Sequence, residues 1–127
     1  MIVPAAHRPS GATAGAVLTK ATLRAAGLLG LNNATLARVI GLSESQVSRL
    51  AHGHRELQVG TKEAELAALL IRVYRSLDAL VGNDAQQREA WMDSFNHAFN
   101  QAPREAVQTV EGLARVVAYL DGARAVA

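Results

Sequence analysis

The chain has 127 residues, of which half are hydrophobic, only 4% are aromatic and none is cysteine. This composition favours one helical domain, or two small helical lobes, packed through Ala, Leu and Val, and it excludes disulfides and thiolate metal sites. The net charge of +2 is uneven: residues 1–59 carry six basic and two acidic side chains, residues 60–127 seven and nine, so the front half fits a polyanion such as nucleic acid.

The first predicted elements are an arm and a helix. Residues 1–12 contain Pro4, Pro9 and Gly11 without an apolar period, so we expect a flexible arm there. A helix is predicted from about residue 13 to residue 29, where apolar residues recur at helical spacing and Gly30 ends the pattern. Its apolar residues are Val17, Leu18, Leu23, Ala26 and Leu29.

Two short helices are predicted in the stretch LNNATLARVIGLSESQVSRLAHGHREL. Asn32 or Asn33 caps the first helix, and Gly41 ends it because a tight turn favours a residue that tolerates positive φ. Ser43 and Gln46 form a capping box that starts the second helix. The residues expected to face inward are Leu36, Ala37, Ile40, Val47 and Leu50.

Residues 61–127 are predicted to form a second helical region. Thr61 caps a long amphipathic helix that ends at Gly82. Its apolar stripe is Leu66, Leu69, Leu70, Val73, Leu77, Leu80 and Val81. Asp84 starts the next helix, and the spacing predicts that one side of it carries Trp91, Met92, Phe95, Ala98 and Phe99.

The last part of the chain is predicted to form a short segment and a final helix. Pro103 opens the segment, because proline suits the first position of a helix. Thr109 caps the final helix. The apolar residues of that helix are Val110, Leu113, Val116, Val117 and Leu120.

The two short helices meet the packing requirements of a DNA-binding helix-turn-helix. Ala37 is small where the helices cross, Gly41 permits the turn, and Val47 and Leu50 hold the second helix steeply against the first. This arrangement presents the outer face of the second helix to a major groove, where Arg, Gln and Ser can recognise base edges. The alternative is an ordinary corner of a helical bundle.

The polar residues of this stretch are the candidate DNA contacts. We expect Arg49 to read a base, and Glu44 either to accept from cytosine or to complement the helix dipole in solvent. Residues around that face are expected to touch phosphates, which position a protein without reading sequence. The predicted DNA-binding residues are Asn33, Arg38, Ser43, Ser45, Gln46, Ser48, Arg49, His52, His54 and Arg55.

Two segments resemble known families. GLSESQVSRLAHGHREL is similar to Xre-type repressors, in which a Ser-started helix containing Val-Ser-Arg-Leu lies between two glycines. From Trp91 onward, the order of several markers resembles the C-terminal domain of the Xre/MbcA/ParS antitoxins, the partners of RES-domain toxins. These markers are Trp91, Asn96, Ala102, Pro103, Thr109, Gly112, Tyr119, Leu120 and Asp121. AFNQAP lacks the glycine common before the family's proline.

The resemblance implies an all-α antitoxin that dimerises, represses its own operon and neutralises a toxin acting on NAD. In such complexes the C-terminal region of the antitoxin obstructs the toxin's active-site cleft. By that resemblance the toxin-binding residues are Tyr119, Asp121, Gly122, Ala123 and Arg124. The Arg124 guanidinium is expected to meet an acidic group or a site for an anionic phosphate. The alternative is that the last residues fray in solvent.

A homodimer is also expected on separate grounds, because one short recognition helix touches few base pairs and pairing doubles the contacts across a palindrome. Trp91 is assigned to the core, so part of the remaining apolar residues forms the dimer seam. The candidates for the seam are Leu69, Leu70, Val73, Leu77, Leu80, Val116, Val117 and Leu120. The alternative function is a free-standing Xre-family repressor without a toxin partner.

Other classes of protein find little support in the sequence. The sequence contains no nucleophile elbow, no phosphate-binding glycine loop and no cluster of residues with metal-ligand spacing. Asp93 and His97 are interpreted as a surface pair on one helical face. We therefore expect no enzymatic activity, no metal and no cofactor. No apolar stretch is long enough to span a bilayer, and the start lacks the apolar core of a signal peptide. We therefore expect a soluble cytoplasmic protein with three parts, namely arm 1–12, DNA-binding domain 13–60 and dimerisation and toxin-binding domain 61–127.

Overall fold

The computed structural model describes residues 13–126, and every regular element in that range is a helix. The all-α prediction, with a helix-turn-helix followed by a helical C-terminal region, is confirmed. The arm predicted for residues 1–12 lies outside the described residues. In chain order the helices are α1 (Ala14–Leu28), α2 (Asn33–Ile40), α3 (Glu44–Ala51), α4 (Lys62–Leu80), α5 (Ala85–Asp93), α6 (Pro103–Ala106) and α7 (Val110–Val126).

The starts of the first five helices are fixed by side-chain caps. In each case a side-chain oxygen accepts from the backbone N–H of the third helical residue, which satisfies a donor that the helix leaves unpaired. Of the two candidates at α2, Asn32 is the cap and Asn33 is the first helical residue. The five capping residues are Thr13, Asn32, Ser43, Thr61 and Asp84.

One continuous hydrophobic core extends from Ala26 to Leu120. Its central helix is α4, which packs against α1, α2 and α7. The predicted stripes are largely buried, but Val17, Leu80 and Val110 are exposed. The front and rear halves of the chain are therefore built around the same helix.

Arg88 is a buried cation that ties three parts of the fold together. Only 5% of it is exposed, its Nη1 donates to Asp78 Oδ1 over 2.8 Å, and its Nε donates to the Leu28 carbonyl oxygen over 2.9 Å. The guanidinium also lies 5.7 Å from the centre of the Tyr74 ring. A buried charge is tolerated when it is paired and hydrogen-bonded in this way, so Arg88 joins the end of α1 to α4 and α5.

The helix predicted from Asp84 to Phe99 is wrong in its second half. Helix α5 ends at Asp93, and Ser94 is already extended. A compact turn follows, in which Asn96 and Gln101 form an isolated antiparallel bridge and Asn100 takes a φ of 57°. The spacing of Trp91, Phe95 and Phe99 imitates a helical period, but the asparagine side chains favour turns.

This turn changes the surroundings of several predicted residues. Trp91, which we expected in the core, is only half-buried, and 58% of Phe95 is exposed. The predicted surface pair between Asp93 and His97 is also absent, because they no longer share a helix. Instead Asp93 Oδ1 accepts from Arg104 Nε over 2.7 Å.

Helices α6 and α7 meet at very close range. A Cβ atom placed on Gly112 would lie 1.9 Å from the Ala106 carbonyl oxygen, far inside any permitted contact. Thr109 caps the start of α7, because its Oγ1 accepts from the Gly112 N–H over 3.0 Å. Two markers of the family resemblance thus have a physical role, which is to start α7 directly against α6.

Within residues 13–126 no helix is both long enough and apolar enough to cross a membrane.

Candidate functional site

The candidate DNA-binding site is built on α2 and α3. Gly41 takes a φ of 77°, which lets α2 end and α3 begin after a short turn. The N–H of Leu42 donates to the Ala37 carbonyl oxygen over 3.0 Å and closes that turn. Val47 and Leu50 are buried, so the inward face predicted for α3 is confirmed and its opposite face lies outward.

Arg49 and Ser45 project from the outward face of α3 and are exposed. Among residues 13–126, the Arg49 side chain has neither a hydrogen bond nor an ion pair. All five of its N–H donors are therefore available, which bidentate recognition of a guanine requires. In the same range, the Ser45 side chain makes only a 3.3 Å hydroxyl contact with Ser43.

Two other predicted contacts, Ser43 and Gln46, hold each other in the capping box of α3. Gln46 Oε1 accepts from the Ser43 N–H over 2.9 Å, and Ser43 Oγ accepts from the Gln46 N–H over 3.1 Å. A bidentate contact with adenine uses both the oxygen and the nitrogen of the amide. The cap already engages the oxygen, so Gln46 positions the recognition helix as well as lying on its face.

His52, His54 and Ser48 line the C-terminal end of α3. His52 Nδ1 bonds to the Ser48 carbonyl oxygen over 2.8 Å, and its ring stacks on that of His54 with 6.2 Å between the centres. Both imidazoles are exposed. The structure therefore gathers these three predicted residues at one end of the helix.

Two of the predicted phosphate contacts, Arg38 and Arg55, already interact with other side chains of the chain. Arg38 Nε donates to Gln108 Oε1 over 2.6 Å, and Arg55 lies 3.8 Å from the Glu63 carboxylate. Asn33 is exposed at the first position of α2. Gln108 was missed by sequence reasoning, because nothing in the local pattern connects it to a residue 70 positions earlier.

The candidate toxin-binding tail is the last part of α7. Residues 121–125 continue the helix, so the alternative that they fray does not match the structure. Asp121 accepts from the Arg72 guanidinium and from Ser76 Oγ, and Arg124 Nη1 donates to Ser76 Oγ over 3.1 Å. Two of the predicted toxin-binding side chains are thus bonded to α4.

The other predicted tail residues have different surroundings. Tyr119 is 43% exposed, Gly122 is exposed and Ala123 is half-buried. The partners of the tail on α4, Arg72 and Ser76, were not predicted. They lie four residues apart and therefore on one helical face, but a sequence pattern does not reveal which distant helix that face meets.

A helix-turn-helix followed by a helical region with a bonded C-terminal helix is an arrangement typical of DNA-binding regulatory proteins. Residues 9–72, about half of the chain, match the family described as the antitoxin Xre-like helix-turn-helix domain. Residues 76–125 match the antitoxin Xre/MbcA/ParS C-terminal toxin-binding domain. The chain therefore belongs to the Xre/MbcA/ParS-type antitoxins, as the sequence predicted. No match is found among curated proteins.

The two matched regions meet between residues 72 and 76, in the middle of α4. This helix contacts α1 and α2 from the first region and α7 from the second. The Arg72–Asp121 ion pair connects the two regions directly. A DNA-binding region and a toxin-binding region thus share one core and one central helix.

Proposed function

We propose that this antitoxin neutralises a cognate RES-domain toxin, obstructing its NAD-degrading site with the C-terminal region, and represses its own operon by binding operator DNA. The observation that carries the proposal is the presence of both matched regions, 9–72 and 76–125, in one chain. A free-standing repressor would not need a toxin-binding region. Since its operator lies in the cell's own DNA, we place the protein in the cytoplasm.

The proposed DNA contact is centred on α3. Arg49 supplies the base reader, Ser45 an adjacent hydrogen-bonding group, and Asn33 a polar side chain at the start of α2 for a phosphate. The capping box strengthens the site, because it fixes the first turn of the helix that enters the groove. The Arg38 Nε donor is already bonded to Gln108, so Arg38 would contact a phosphate through its remaining guanidinium donors.

Replacement of Arg49 by alanine is expected to weaken operator binding by about 1 to 3 kcal/mol and to relax base preference at one position. Fluorescence anisotropy with the DNA upstream of the gene and with a scrambled duplex measures both effects. Arg24→Ala is the matched control, because Arg24 is an exposed arginine on α1. An equal loss on both duplexes would assign Arg49 to a phosphate.

The antitoxin is proposed to act as a homodimer within a larger complex with toxin, since two recognition helices are needed to span a palindrome. The seam predicted from the sequence needs correction, because six of its eight candidates are buried between helices of the same chain. Only Leu69 and Leu80 keep an accessible surface. The buried six are Leu70, Val73, Leu77, Val116, Val117 and Leu120.

The C-terminal tail is proposed to obstruct the toxin through Arg124. Among residues 13–126, only one of the five guanidinium donors is engaged, by the neutral hydroxyl of Ser76, so an acidic group or an anion site offers a stronger partner. The side chain is exposed. A shift of Arg124 from Ser76 to the toxin therefore exchanges a weak bond for a charge-assisted one.

Deletion of residues 122–127 is expected to release toxicity while operator binding persists, because the helix-turn-helix packs on α4 through α2 rather than on the tail. Growth and cellular NAD are measured after co-expression with the RES-domain protein encoded beside this gene. Arg124→Ala should reproduce part of the effect, whereas Arg115→Ala on the exposed face of the same helix should not. Full neutralisation by the truncated chain would contradict the role of the tail.

A further inference from the structure

An aromatic surface lies on the rear half of the molecule, away from the bonds that hold the tail. It comprises Val81, Trp91, Phe95 and Tyr119. Trp91 and Tyr119 lie 6.3 Å apart between ring centres, and Val81, Trp91 and Phe95 line one cleft. Phe95 is 58% exposed and Tyr119 43% exposed, although large apolar side chains elsewhere in this region are mostly buried. These four side chains form one continuous surface.

The chain holds Phe95 in place from both sides. Ser94 Oγ donates to the Ala90 carbonyl oxygen over 2.6 Å, and the Asn96 N–H donates to the Gln101 carbonyl oxygen over 3.1 Å. The Asn96 side chain accepts from the Ala98 N–H over 2.9 Å. The exposed ring is therefore presented on an ordered turn, which lowers the entropy that a binding partner must overcome.

The aromatic rings also retain unused polar groups. Within residues 13–126, neither the Trp91 indole N–H nor the Tyr119 hydroxyl has a side-chain hydrogen bond. Trp and Tyr with an apolar body and an open polar end are the residues most enriched at the energetic centres of protein interfaces. Phe99 supports them from below, since it is buried and its ring centre lies 5.3 Å from that of Tyr119.

We propose that the toxin docks on this aromatic surface, with Phe95 inserted into an apolar pocket of the toxin. This assignment rests on the proposed toxin-binding function and names its main contact area. All four residues lie within 76–125, the toxin-binding match. Tyr119 and Ala123 lie one turn apart and share a face of α7, so a toxin seated on the surface extends directly to the tail.

The surface and the tail divide the work of binding. Asp121 and Arg124 are bonded to α4 through Ser76, whereas the aromatic side chains are already exposed and ordered. The aromatic surface supplies the apolar area that stabilises the complex. Docking on this surface brings the adjoining tail next to the toxin. Affinity is therefore expected to depend on Phe95 and Tyr119 more than on Arg124.

Binding of the purified chain to the RES-domain protein encoded beside its gene tests the assignment. Phe95→Ala and Tyr119→Ala are each expected to raise the dissociation constant by roughly 10- to 100-fold. Val59→Ala is the control, because Val59 is 65% exposed in the loop between α3 and α4. Equal affinity for all three variants would overturn the surface, and unchanged thermal unfolding confirms that the variants fold.

A second readout uses the single tryptophan of the chain, Trp91. In protein labelled with 5-fluorotryptophan, addition of unlabelled toxin is expected to shift the one ¹⁹F resonance. A complex with an unshifted resonance would overturn the docking surface and leave toxin binding intact. Failure of the wild-type chain to form any complex would instead contradict the proposed function. A shift on self-association alone would assign the surface to a second copy.

Discussion

Replacement of Gly112 by alanine is expected to destabilise the protein by about 3 kcal/mol, the upper end for an overpacked core. The added methyl group would lie 1.9 Å from the Ala106 carbonyl oxygen, and the obstacle is backbone rather than a movable side chain. Helix α7 must therefore shift away from α6, which disturbs the buried residues Leu113 and Val116. Chemical denaturation measures the free energy of unfolding.

The matched control is the same substitution at Gly122, which lies later in the same helix, α7. A Cβ on Gly122 would meet nothing within 4 Å, so Gly122→Ala adds helix propensity without a clash and is expected to stabilise α7 by roughly 0.5 to 1 kcal/mol. Opposite signs at the two glycines follow from close approach at one of them. A loss of similar size at both positions would show that α6 and α7 do not pack as described.

Replacement of Arg88 by alanine is expected to cost about 3 to 5 kcal/mol, because it leaves the Asp78 carboxylate without its partner in a largely buried position. It also removes the bond to the Leu28 carbonyl oxygen at the end of α1. That loss is a large share of the roughly 5 to 15 kcal/mol that stabilises a typical domain. The midpoint temperature of thermal unfolding and the affinity for the toxin should both decrease.

Two variants separate the role of Arg88 from a general effect of lost charge. Arg88→Lys keeps the charge but not the fork that reaches Asp78 and Leu28 together, so an intermediate loss is expected. Arg115→Ala removes an exposed arginine that pairs with Glu111 one turn away, and its effect should stay within about 0.5 kcal/mol. Equal free energies of unfolding for the alanine variants at positions 88 and 115 would contradict the stabilising role of the buried Arg88 side chain.

Three arginines, Arg38, Arg88 and Arg104, show why the two halves of the chain are expected to act as one unit. Arg88 bonds to Leu28, and Arg104 Nη1 donates to the Gly30 carbonyl oxygen over 2.6 Å. Arg38 reaches back in the other direction to Gln108. Each bond connects the DNA-binding region to the toxin-binding region. If the toxin docks on residues 76–125 as proposed, these hydrogen bonds are the contacts through which its binding is expected to affect α1 and α2.

The helix-turn-helix could be predicted from sequence because its signals are local. The Ser43–Gln46 capping box and the glycine at position 41 fix helix ends within a few residues. The pattern also identified Val47 and Leu50 as the inward face. Each feature depends on backbone chemistry that neighbouring residues determine.

The rear half was predicted less completely because its decisive contacts join distant residues. Sequence reasoning extended α5 as far as Phe99, since the aromatic spacing concealed the turn made by Asn96 and Asn100. It gave no role to Arg88, because an arginine on a helix is usually solvated. It also proposed a dimer seam from Leu70 and other residues that the chain buries itself. Which apolar face meets which helix is a property of the tertiary packing.

Cellular NAD is the most direct test of the proposed neutralisation of a RES-domain toxin by residues 76–125. Expression of the RES-domain protein encoded beside the gene should lower NAD, and co-expression of the full chain should restore it. A chain with Phe95→Ala and residues 122–127 removed should bind operator DNA yet leave NAD low. Restored NAD with this variant, or no restoration with the full chain, would contradict the account.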